Sequence, residues 1–83
     1  MTEASGDLRV LIEQIAKALV DAPDQVSVTE AGNERNAVLE LKVAAGDVGK
    51  VIGKQGRVAR ALRALVGAAT VRSDRRVTLE IVE

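Results

Sequence analysis

The sequence predicts an α+β domain with the element order α-β-β-α-α-β: a three-stranded mixed sheet with three helices on one face. Three observations carry that prediction. Two blocks of the 83-residue chain repeat apolar side chains at helical spacing, and three shorter stretches alternate apolar with polar residues. A glycine-bounded corner, Gly53-Lys54-Gln55-Gly56, separates the second helical block from a brief helical turn before it. A chain of this length buries only about 60–65% of its unfolded surface, so one core and one domain spanning residues 1–83 are expected.

Leu8, Leu11, Ile12, Ile15 and Leu19 fall on one helical stripe, which predicts an amphipathic helix over 7–20 with its apolar side in the core. Ser5 or Asp7 is suited to cap its start, and residues 1–6 are expected to be disordered. Ala22-Pro23-Asp24 stops the helix, because proline disfavours helical geometry in the residue before it. Val26 and Val28 alternate with Ser27 and Thr29, a strand over 25–31. Gly32-Asn33-Glu34-Arg35 is turn chemistry, and Leu39, Leu41 and Val43 alternate with Glu40 and Lys42 as a second strand with one wet face. The short loop makes these two strands an antiparallel hairpin. Ala45-Gly46-Asp47 opens a brief helix over about 47–52, with Asp47 near its positive end. A longer helix follows over 57–69 with Val58, Leu62, Leu65, Val66 and Ala69 on one stripe, and Gly67 is placed to fray it or end it early. Val77, Leu79 and Ile81 alternate into the last strand. A two-helix crossover from the second strand to the third favours a parallel, adjacent pair with the helices on one face.

Composition excludes much chemistry. The chain has no Cys and no His, which removes disulfides, thiol nucleophiles and the usual neutral-pH proton shuttle. Nor has it Phe, Tyr or Trp, so no base can stack on an aromatic ring. Asp21 and Asp24 flank the Pro23 turn without basic or metal-binding company, and no catalytic constellation is visible. Neither an enzyme, a cofactor nor a metal site is expected. No apolar run approaches the roughly 20 residues that span a bilayer, and the N-terminus lacks the basic and apolar regions of a secretory signal. A cytoplasmic binding domain is the favoured class.

Formal net charge is zero, but it is segregated. Residues 1–48 hold four cations against nine anions, whereas residues 49–76 hold eight cations against Asp74 alone. That second block is built to face an anion. Its centre is the Gly53–Gly56 corner. Two glycines alone are equally compatible with a tight helix–helix corner, since glycine supplies backbone angles other residues resist. Three surroundings favour an anion. Lys54 and Gln55 are polar, the corner opens the longer helix where free N–H groups favour a phosphate, and Arg57, Arg60 and Arg63 advance by three along one side. Arg72, Arg75 and Arg76 are either a solvated loop or a second nucleic-acid contact.

Val-Ile-Gly-Lys-Gln-Gly (51–56), followed by an amphipathic helix, resembles the signature of KH domains. The element order resembles their type II arrangement, and residues 49–63 are similar to those of the small bacterial single-KH proteins of the KhpA type. The resemblance implies single-stranded RNA binding, with the G-x-x-G loop clamping the backbone of about four unpaired nucleotides. It implies that Gly53 and Gly56 permit close approach and that Lys54 and Gln55 meet phosphates, with Lys50, Arg57 and Arg60 as flanking cations. Ile52, Val58 and Ala59 would line an apolar groove, Ala59 standing where many KH domains carry a larger aliphatic residue. The second strand, around Leu39 to Val43, would form the opposite wall. An RNA chaperone or post-transcriptional regulator is implied, as are homodimers and a complex with a larger KH-containing partner of the KhpB or Jag type. A module acting mainly through such protein contacts is the alternative. The exposed side of the 57–70 helix, around Ala61, Ala64, Leu65 and Ala68, is the expected pairing surface.

Overall fold

Two long helices lie against each other on one face of a three-stranded sheet. The computed structural model describes residues 4–71 and 74–82, with residues 4–7 as backbone only. Helix α1 runs over Ala4–Leu19, followed by β1 (Ser27–Gly32) and β2 (Asn36–Lys42). Then come α2 (Val48–Ile52), α3 (Arg57–Ala69) and β3 (Arg76–Ile81). Single 3-10 turns cover Pro23–Gln25, Ala45–Asp47 and Lys54–Gly56.

The sheet order is β1-β2-β3. β1 pairs antiparallel with β2 from Ser27↔Lys42 to Gly32↔Ala37, and β2 pairs parallel with β3 from Asn36↔Arg76 to Leu41↔Ile81. This is the arrangement expected for a hairpin followed by a two-helix crossover. The hairpin closes through Asn33, whose Oδ1 accepts the N–H groups of Arg35 and Asn36, both at 2.9 Å. Alternation sorts the faces. Val28, Ala37, Leu39, Leu41, Val77 and Leu79 are buried under the helices, while Thr29, Lys42, Thr78 and Glu80 lie on the exposed side. α1 packs on β1 and α3 on β3, and the two helices also touch each other.

The elements depart from expectation at their ends. α1 already runs at Ala4, a strong helix former, and takes in residues 4–6, which the sequence put outside it. Its core contacts are Leu8, Ile12 and Ala16, spaced by four, whereas Leu11 and Leu19 stand 44% and 39% exposed. In α3 the buried residues are Ala59, Leu62 and Val66, with Val58 and Leu65 half-buried and Ala69 exposed. Gly67 does not end α3; the helix continues to Ala69, and Thr70 Oγ1 then donates to the Val66 carbonyl at 2.9 Å.

Candidate nucleic-acid interface

The corner between α2 and α3 is made by three successive departures from ordinary backbone geometry. The Gly53 N–H closes α2 on the Gly49 carbonyl at 2.8 Å, and Gly53 then turns out at φ 79°, ψ 172°. That region is essentially open to glycine alone. Gln55 (φ 58°, ψ 24°) and Gly56 (φ 74°, ψ 16°) are both left-handed. The Gly56 N–H returns to the Gly53 carbonyl at 3.1 Å, and the Arg57 N–H to the Lys54 carbonyl, so the corner is tied to itself. The N–H groups of Lys54 and Gln55 come before the first hydrogen bond of this turn, where helical amides have no partner within the helix. Amides so placed before a 13-residue helix are the groups that favour an anion at a helix start.

The two glycines have different surroundings. A Cβ on Gly53 would fall on Val58, 2.8 Å from its Cβ and 2.9 Å from its nitrogen. A Cβ on Gly56 would meet nothing within 4 Å. Gly53 is thus needed by the fold, whereas Gly56 borders open space. Lys54 and Gln55 are exposed, and so are Arg57 and Arg60. Arg57 Nη2 donates to Gln55 Oε1 at 3.5 Å, holding one cation beside the corner.

Several expected site residues lie elsewhere. Lys50 is no free cation: its Nζ sits 3.0 Å from Asp21 Oδ2 and 3.4 Å from Asp47 Oδ1. Asp21, which in sequence has no basic company, therefore finds it in space. Asp47 does not cap α2; it is buried, and its Oδ2 accepts the Ala22 N–H at 3.0 Å. Burial pushes the Asp47 carboxyl up, but the backbone amides of Ala22 and Asp21 and the Lys50 ammonium outweigh this and hold it below its ordinary 3.8. The carboxylates of Asp21, first, and of Asp47 raise the Lys50 ammonium above its ordinary 10.5.

Ala59 is 4% exposed and belongs to the core, so it presents no groove surface. Ile52 is half-buried beside the corner, and half-buried Val58 lies against Gly53 while also facing a groove toward α1. There Ile15, Leu19, Arg57, Val58, Ala61, Leu62 and Leu65 line an apolar groove of about 410 Å³. Arg57 borders this groove, whereas Arg63 Nε reaches the Leu79 carbonyl of β3 at 3.4 Å. Arg57 and Arg63, at the two ends of that row, thus serve different surfaces.

The expected opposite wall is also displaced. β2 is the central strand and pairs on both sides, so its backbone groups are spent on β1 and β3. The free strand edge beside α3 is that of β3.

Arg75 is engaged in holding the fold. Its guanidinium donates to Glu30 Oε2 at 2.7 Å and to the carbonyls of Glu34 at 2.9 Å and Asn33 at 3.3 Å. It thereby pins the start of β3 to the hairpin. Arg76 is exposed, and Arg72 lies outside the described residues. Asp47 and Arg75 carry no sequence signal for these roles, since their partners are distant in the chain. Among the described residues no group of three or more His, Cys, Asp or Glu could hold a metal ion. None of the described helices is long and apolar enough to cross a membrane.

No solved structure matches this chain. Among its relatives, the RNA-binding protein KhpA of Clostridium acetobutylicum is 53% identical over 75 residues, covering 90% of this chain and 100% of that protein. The RNA-binding protein KhpA of Aquifex aeolicus is 50% identical over 76 residues, 92% of this chain and 96% of that one. The namesake in Treponema pallidum is 53% identical over 73 residues, 88% and 91%. A family model for the KH domain of KhpA and KhpB matches residues 9–81. With its G-x-x-G corner between two helices and its mixed sheet in the type II order, this chain belongs to the KhpA/KhpB family of KH domains.

Proposed function

We propose that the chain, working as one KH domain, binds single-stranded RNA by its backbone, as a cytoplasmic RNA chaperone or post-transcriptional regulator without catalytic turnover. The observation that carries this reading is the Gly53–Gly56 corner. It combines two amides at a helix start, an open approach over Gly56, the exposed Lys54 and Gln55, and the flanking Arg57 and Arg60. The names of the relatives support the choice of RNA as the anion. Without aromatic rings each base forgoes a stacking contribution of roughly 1–3 kcal/mol, so phosphate contacts dominate and sequence preference is weak. The test is Lys54→Asp with Gln55→Asp: both side chains are exposed, so circular dichroism stays native while RNA binding in a gel-shift series is lost. Unchanged affinity in the folded double variant refutes the reading.

The apolar groove favours a second role alongside the first, in which the chain pairs with a second copy or with a larger KH protein of the KhpB or Jag type. The groove is almost wholly apolar, with Ala61 and Leu65 in its wall and Ala64 and Ala68 exposed on the same helix. A second copy is the occupant we favour, since two clamps held together gain an effective-concentration advantage on a longer strand. Sedimentation of wild type against Ala61→Arg tests this; a wild-type monomer at every concentration refutes it.

A further inference from the structure

We infer that Asp21 withholds Lys50 from bound RNA, so that this single exposed carboxylate sets how many phosphates the protein holds. The inference rests on the reading of the Gly53–Gly56 corner as a phosphate clamp. Lys50 lies three residues before Gly53 on α2, in the cationic block that leads into the corner, and its side chain is 43% exposed. One lysine would suffice to neutralise the buried Asp47, whose side chain is 5% exposed. Asp21 adds a second carboxylate on the same ammonium and leaves the trio with one net negative charge beside the corner. Asp21 itself is 82% exposed, and among the described residues its side chain pairs with Lys50. It therefore contributes little to packing, and its weight falls on the local field. Replacing it leaves Asp47 to hold Lys50 at 3.4 Å in a single, longer pair from which the ammonium can swing to a phosphate.

The experiment compares wild type, Asp21→Asn and Asp21→Asn with Lys50→Gln. The probe is a labelled single-stranded oligouridylate of about eight nucleotides, twice the span of one clamp. Asp21→Asn is expected to tighten binding about two- to fivefold, the range of an exposed ion pair, and to steepen the salt slope by about 0.7, one more phosphate. Both gains should vanish when Lys50 is Gln. A gain that survives Lys50→Gln, or an unchanged slope, overturns the inference. Amine acetylation provides a readout independent of RNA: in wild type Lys50 should react more slowly than Lys54, and Asp21→Asn should close that gap. Equal reactivity in wild type overturns the inference while leaving the clamp intact. The expected acetylation pattern with no RNA binding in any variant overturns the clamp reading, and the inference about RNA with it.

Discussion

Replacing Gly53 by Ala tests whether the corner is a fixed piece of the fold. At φ 79°, ψ 172° an alanine occupies a region almost closed to residues with a Cβ, at a cost of about 1–3 kcal/mol. The same Cβ would sit 2.8 Å from Val58 Cβ and 2.9 Å from Val58 N, and the backbone nitrogen cannot rotate aside. Overpacking of this kind adds about 1–3 kcal/mol, so the sum is about 2–6 kcal/mol. Domains of this size have about 4–12 kcal/mol of stability, and each kcal/mol moves Tm by about 4–8 °C. Gly53→Ala should therefore lower Tm by at least about 8 °C and bring the protein near the edge of folding. Gly56→Ala is the internal control. Its φ of 74° costs about 1–2 kcal/mol, and its Cβ would meet nothing within 4 Å. Thermal and urea denaturation followed by circular dichroism measure both. Equal losses in the two variants would refute the argument that Val58 is what forbids a side chain at Gly53.

Four further outcomes are expected. Asp47, held below its ordinary 3.8, contributes stability that is present above that value and is lost as pH falls through the lower folded value; Asp47→Asn should lower the urea midpoint at neutral pH and flatten its acid limb. Lys50 has the opposite sign, its contribution being lost above pH 10.5 as pH rises through the folded value. Arg75→Ala, which removes the Glu30 pair and two carbonyl contacts, should cost about 1–2 kcal/mol in chemical denaturation without changing the salt slope of RNA binding. RNA binding itself should prefer single strands to a blunt duplex, with a log–log salt slope of about −2 to −3 for three to four phosphates, measured by fluorescence anisotropy across a salt series.

The order of elements was legible because each rests on local periodicity, and the sheet followed from one short loop and one long crossover. The choice of core residues was less so. Leu11 and Leu19 read as core by hydrophobicity, yet they stand partly exposed while the small Ala16 and Ala59 are buried. Helix–sheet packing rewards shape at such points, and hydropathy carries no information on shape. The corner was readable from its glycines, and Lys54 and Gln55 are exposed there as expected. The states of the surrounding charges were not. Lys50, Asp21 and Asp47 come from three separate segments, as do Arg75 and Glu30, and only the fold brings them together.

Those pairings reshape the meaning of the charge segregation. Of the cations in residues 49–76, Lys50 and Arg75 are drawn into ion pairs with the acidic first half, and Arg63 reaches across to β3. The charges left around the corner are those of Lys54, Arg57 and Arg60, on or next to a backbone with two amides at a helix start. Gln55 is the one residue other than glycine at positive φ among the described residues, a conformation costing about 1–2 kcal/mol that a third glycine would avoid. Its side chain is exposed and joined to Arg57 rather than packed in the core, so that cost returns no burial. The strain is explicable if the amide of Gln55 is itself part of the surface offered to the ligand. In a chain without aromatic rings, histidine or cysteine, the proposed clamp rests on backbone geometry fixed by Gly53 and on the few polar groups held at its rim.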